Sequence, residues 1–167
     1  CIRHGQRLVE MRSWAGSDVR GAVINVLRGY EDRNLVCCID SVGMGHYFAR
    51  AIEDACPAIT VVDVNVGNKA DDTERFSNSK AQYYWSMRER FRDGEITGIW
   101  DERLVSQLCG IRYSHNVKGQ VVIESKDQLR RRGGKSPDRA EALMLAFASG
   151  NRIQLGPVDI KREIFFG

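Results

Sequence analysis

An α/β domain with a largely parallel sheet is the fold class this sequence predicts, and three observations carry it. Strand-like and helix-like segments alternate from Arg7 to Val66. The run Leu35–Asp40, LVCCID, is apolar without alternation until its final carboxylate, the pattern of a strand covered on both faces. The segment Ala140–Ala148 is almost entirely apolar, so a last helix packs hard against the sheet.

Each element has a local reason. CIRHGQRLVEMRSW, Cys1–Trp14, reads as a chain entering partway through a strand or hairpin, with Arg7–Trp14 extended. That start, with no methionine, is expected of a piece of a longer polypeptide or a processed product. Ser17–Tyr30 places Val19, Val23, Val26 and Leu27 at helical spacing behind Asp18. His46–Ala55 reads as a helix closed by Cys56-Pro57, and Ile59–Val66 as a strand rich in β-branched residues. Residues 67–75 form a polar loop. Ser77 or Asn78 can cap a long helix running to about Phe91, and Asp93-Gly94 turns the chain after it. Asp101–Cys109 is a further short helix with an acidic start. Ile111–Tyr113 and Gln120–Glu124 bracket SHNVKG as a hairpin. Ser136-Pro137-Asp138 opens the last helix, with Ser as N-cap, Pro in the first turn and an acid beside it. Residues 1–150 thus make one domain and 151–167 a tail.

The bulk properties exclude several classes. A composition 43% apolar and 28% charged is neither disordered nor fibrous. No apolar run approaches the ~18 residues of a membrane span, and no secretory signal pattern is present. Five cysteines, an odd number without C-x-x-C pairs or zinc spacing, read as free thiols of a reducing cytoplasm. The net charge of +3 is modest. Its distribution is not: Lys126–Lys135, KDQLRRRGGK, holds five basic residues and one acid. Such a run is a footprint for a polyanion, and it equally describes a solvated helix face.

Three acids are candidates for chemistry. In open α/β sheets, ligands bind beyond the carboxyl ends of strands. Asp40 stands there, and Gly43 and Gly45 would let the following loop approach a ligand closely. The competing reading makes Asp40 a turn cap. Asp138 and Glu141 share one face of the last helix, where acids also simply favour the helix dipole, by about 0.3–1 kcal/mol each. If these carboxylates converge, they offer hard oxygen ligands to divalent cations. Two such ions can drive phosphodiester hydrolysis. Gly43-Met44-Gly45 lacks the third glycine and the downstream acid of a dinucleotide site.

Taken in order, LVCCIDSVGMG, TVVDVNVG, RFSNSKAQYYWSMRERFRDGEI and VVIESKDQLRRRGGKSPDRAEALMLAFA resemble the nuclease domain of the large terminase subunit of tailed bacteriophages. The resemblance runs to about Gly150. It implies an RNase H-like fold, a mixed sheet flanked by helices, and metal-dependent endonucleolytic cleavage of concatemeric double-stranded DNA. It implies Asp40 and Asp138 as catalytic metal ligands, Glu141 as an auxiliary ligand, and two Mg²⁺ or Mn²⁺ ions as cofactors. Lys126 would be a catalytic lysine contacting phosphate, and Arg130, Arg131, Arg132 and Lys135 would bind DNA. The implied partners are DNA, the terminase small subunit and the portal of the procapsid, with no membrane. The implied location is the host cytoplasm, as for a viral protein. The family's acid-bearing first strand is expected before residue 1, which would make this domain N-terminally incomplete and short of one ligand. The alternative function on the same fold is a non-catalytic DNA-binding or docking module of the packaging motor.

Overall fold

The computed structural model describes residues 1–98 and 101–148. The described residues form six α-helices, one 3-10 turn at Glu31–Arg33 and six short strands. The tail expected at 151–167 lies outside the described residues.

The chain opens in an antiparallel hairpin, β1 (Ile2–His4) with β2 (Arg7–Glu10), turned at Gly5, whose φ of 57° suits glycine. The extended stretch expected to reach Trp14 ends at Glu10. α1 (Val19–Arg28) starts at Asp18, whose carboxylate accepts from the Gly21 amide at 2.9 Å. β3 (Val36–Asp40) then pairs in parallel with β4 (Thr60–Val64), in the register Val36 opposite Thr60 through Asp40 opposite Val64. α2 (Gly45–Ala55) makes the crossover between them. α3 (Ser79–Arg92) is capped by Asn78, and α4 (Glu102–Gly110) by Asp101.

The second hairpin joins β5 (Tyr113–His115) to β6 (Val121–Ile123). Its first strand lies two residues later than the apolar pattern indicates. The Asn116 side chain accepts from the amides of Lys118 and Gln120, which draws the turn to 116–119 and frees Ser114 and His115 to pair. The basic run forms α5 (Lys126–Arg131), opened by a reciprocal capping box between Ser125 and Gln128. α6 (Asp138–Ala148) ends the described chain.

The predicted α/β class holds, with strands in mixed directions. Hydrogen bonding divides the described strands into three pairs, and only β3–β4 is parallel, so the largely parallel sheet expected from the alternation gives way to two antiparallel hairpins beside one parallel pair. Isolated bridges tie Arg7 to Thr97 and Val121 to Phe76. Two apolar layers flank the central β3–β4 pair. On one face Leu35, Cys37, Ile39 and Val61 pack with Leu27 of α1 and Ile52 of α2. On the other, Cys38, Val62 and Val64 pack with Tyr84 and Met87 of α3, Leu104 of α4, and Leu143, Met144 and Phe147 of α6. Leu104 and Leu143 are fully buried, each stabilising by about 1.5–3 kcal/mol through burial alone. The strand expected to be wholly buried is half-buried along its length. Both faces of β3 are covered, but among the described residues only one of its edges pairs, with β4.

Candidate metal and nucleic-acid site

Side chains alternate along β3, so Asp40 emerges on the face of Cys38, the face that α3 and α6 cover. α6 packs against β3 on this face. Its start is marked by Glu141, which meets Lys80 in the first turn of α3, and the Lys80 amide donates to the Val66 carbonyl just past β4. Its far end is marked by the Ala146 carbonyl, which accepts from Arg3 of β1. Glu141, one turn after Asp138, is thereby tied through Lys80 to the segment just past β4, at the end of the β3–β4 pair where Asp40 stands.

Asp40 is half-buried, and its Oδ1 accepts from the Val42 amide at 3.1 Å. The turn-capping role weighed for it is thus real, but occupies one oxygen. The glycines after it have structural work. Gly43 turns at φ 70°, and a Cβ on Gly45 would collide with the Asp40 carbonyl oxygen, so only glycine lets α2 begin this close to the end of β3.

The start of α6 is capped from another helix. Gln107 of α4 presents its Oε1 to the amides of Arg139 at 2.8 Å and Ala140 at 3.1 Å. Ser136, expected as the N-cap, instead donates its hydroxyl to Asp138 Oδ1 at 2.5 Å. Arg139 is ion-paired to Asp101, fastening the starts of α4 and α6 together. Asp138 is consequently relieved of capping the helix and stays exposed. Its place in the first turn still lets it favour the helix dipole.

Glu141 sits elsewhere in the balance. Its two oxygens are taken by Lys80 Nζ at 2.8 Å and Lys126 Nζ at 2.8 Å, with only 17% of its side chain exposed. Burial pushes its carboxyl upward, but hydrogen bonds from Lys126 and Lys80 and their charge outweigh this and hold it below the usual value. A cation at Glu141 would have to displace at least one lysine. Lys126 does reach the start of α6, through Glu141. Lys80 joins it there and carries no signal in the sequence beyond standing in a capped first turn.

The basic run divides by role. Arg132 is clamped by both oxygens of Glu124 and by the Gly110 carbonyl. Arg130 pairs with Asp127 of its own helix at 3.1 Å. Arg131 and Lys135 are exposed and have no acidic partner among the described residues. A groove of about 940 Å³ runs between α4 and the segment joining α5 to α6, with Asp138 on its wall.

The donor chemistry at this end fits a hard divalent cation in kind. Among the described residues, no three His, Cys, Asp or Glu side chains converge into a cage. Mg²⁺ commonly needs only one or two carboxylates, with water and substrate phosphate completing its shell, and Asp40 and Asp138 are carboxylates of that kind.

No protein-family profile and no curated protein matches the chain. Solved structures do. A lysine-to-alanine mutant of the nuclease domain of large terminase subunit gp2 of bacterial virus Sf6, with manganese and beta-thujaplicinol, aligns at a TM-score of 0.73 and 20% identity. That match covers 85% of this chain and 77% of that one. The same mutant with calcium aligns at 0.73 and 20% identity over 85% and 78% of the two chains. The unmutated domain aligns at 0.69 and 20% identity over 85% and 77%. The chain therefore has the fold of the phage large-terminase nuclease domain, an RNase H-like α/β architecture.

Proposed function

We propose that this chain is a metal-dependent endonuclease domain of a viral DNA-packaging terminase, cutting concatemeric double-stranded DNA by two-metal phosphodiester hydrolysis. The observation that carries it is the fold likeness to the Sf6 large-terminase nuclease domain over 85% of this chain, supported by Asp40 at the carboxyl end of β3 and by Asp138, exposed at the start of a helix that Gln107 caps. The manganese and calcium in the matched Sf6 structures support the choice of cation class.

In this reading Asp40 and Asp138 would hold the divalent ions, Mg²⁺ or Mn²⁺. When bound, these activate water and stabilise the leaving oxygen. Asp40 Oδ1 is steadied by the Val42 amide and Asp138 by the Ser136 hydroxyl, so both carboxylates are oriented beforehand. Lys126, braced by Glu141, offers an ammonium to a phosphate oxygen as negative charge develops. Glu141 serves as that brace, and acts as an auxiliary ligand only after releasing a lysine. The terminase small subunit and the portal are the partners this reading assigns.

Nicking of supercoiled plasmid in Mn²⁺ or Mg²⁺ tests it. The wild type is expected to nick and Asp40→Asn to lose at least 100-fold in rate, whereas equal rates refute the role of Asp40. The incomplete acid cluster among the described residues favours a second reading, a non-catalytic DNA-binding or docking module. Under it DNA binds in a salt-dependent way, and neither Asp40 nor metal matters.

A further inference from the structure

The groove between α4 and the α5–α6 connection contains four basic side chains, and their situations differ. Arg132 is neutralised by Glu124, and Arg139 by Asp101, both acids lying outside the groove lining, which itself carries two exposed acids, Glu102 and Asp138. These two arginines build the walls. Arg103 on α4 and Lys135 before α6 line the same groove, are exposed, and have no acidic partner among the described residues. Arg103 stands 23 positions before the basic run begins at Lys126, so no charge pattern along the chain singles it out.

We propose that this groove seats the phosphate backbone of a DNA strand, with Arg103 and Lys135 as its two charged phosphate contacts on opposite segments. The inference deepens the nuclease reading and rests on it for the identity of the polyanion. Three features favour phosphate over other anions. The unpaired cations come from two segments lining one groove, as contact with successive phosphates requires. The hydroxyls of Ser13 and Ser106 line the same groove and add neutral donors of the kind that phosphate oxygens accept. Asp138 also lies on the wall, so a backbone following the groove passes the candidate cation ligand. Each contact positions DNA without reading its bases.

The test is binding of a labelled 30-base-pair duplex to the whole chain in EDTA, with NaCl varied from 50 to 200 mM. Each phosphate contact contributes about 0.9 to the slope of log affinity against log salt. Arg103→Gln and Lys135→Gln are each expected to lower that slope by about 0.9, and the double variant by about 1.8. Arg50→Gln is the control: Arg50 is exposed on α2, pairs with Glu53 at 3.5 Å, and removes the same charge away from the groove. It is expected to leave the slope unchanged. Arg103→Lys keeps the charge and should restore most of the slope, which separates charge loss from misfolding. Slopes for Arg103→Gln and Lys135→Gln that match Arg50→Gln overturn the proposal. So does poly-glutamate competing as well as DNA at equal charge. Because the assay contains no divalent metal, it stands apart from cleavage. A changed slope in a chain that never nicks plasmid keeps the groove and removes the nuclease reading. An unchanged slope in a chain that does nick removes only the groove.

Discussion

Replacing Gln107 by leucine keeps the bulk of the side chain and removes the oxygen that caps α6. Two amides lose their acceptor, those of Arg139 and Ala140, and Ala140 is fully buried. Loss of a helix cap costs about 0.5–2 kcal/mol, and a buried donor left unpaired costs about 1–3 kcal/mol. Ser136 and Asp138 stand close enough to swing in as poor substitutes, so the two costs overlap rather than add. The expected loss is about 2 kcal/mol. For a chain of this size it corresponds to a fall in Tm of about 4–8 °C. Urea denaturation measures it, with an unchanged m-value showing that the folded and unfolded states keep their compactness. Gln107→Glu retains an acceptor oxygen and should recover at least half the loss. A change below about 0.5 kcal/mol for the leucine variant, or equal losses for leucine and glutamate, refutes the capping role. The chemistry should register the change too. If Asp138 turns inward to cap its own helix, Mn²⁺ affinity falls in Gln107→Leu and survives in Gln107→Glu.

Other perturbations follow from the same geometry. Gly45→Ala places a Cβ against the Asp40 carbonyl and should destabilise by about 3 kcal/mol, read by thermal melting. Arg132→Ala removes the guanidinium that donates to both Glu124 oxygens, leaving the Arg112 amide and charge, and should lower the urea midpoint modestly. Because the folded state holds the Glu141 carboxyl below its ordinary value, its ion pairs stabilise above pH ~4.5 and fade as pH falls through the lowered value. Acid titration of stability should show this component in the wild type and lack it in Glu141→Gln. Chelation by EDTA should abolish plasmid nicking and leave duplex binding in place, as expected when the acids hold metal and the groove holds phosphate.

Much of the fold was legible because local signals and burial agree. The apolar run before Asp40, the caps at Asp18, Asn78 and Asp101, and the apolar final helix each describe their own surroundings. α5 was legible in principle through Ser125 and Gln128, a capping pair three residues apart that the run of arginines overshadowed. The shift of β5 had a weaker trace, in an asparagine able to fold its side chain over the following turn. What a linear reading could not supply is pairing across the fold. Gln107 caps amides 32 and 33 positions away, and Lys80 reaches Glu141 across 61. Neither has any periodicity to announce it, since both depend on how α3, α4 and α6 pack. The same limit applies to the basic run: Arg132 is clamped, Arg130 and Lys126 are paired, Arg131 and Lys135 have no acid beside them among the described residues, and only the positions of Glu124, Asp127 and Glu141 distinguish them.

The central claim is that Asp40 and Asp138 act on one cation-binding locus. Mn²⁺ affinity, measured by electron paramagnetic resonance for the wild type, Asp40→Asn, Asp138→Asn and the double variant, tests it most directly. The account predicts that each single variant loses at least tenfold, about 1.4 kcal/mol, and that the double variant loses less than the sum of the two. Affinities unchanged in either single variant, or losses that add fully, would contradict it.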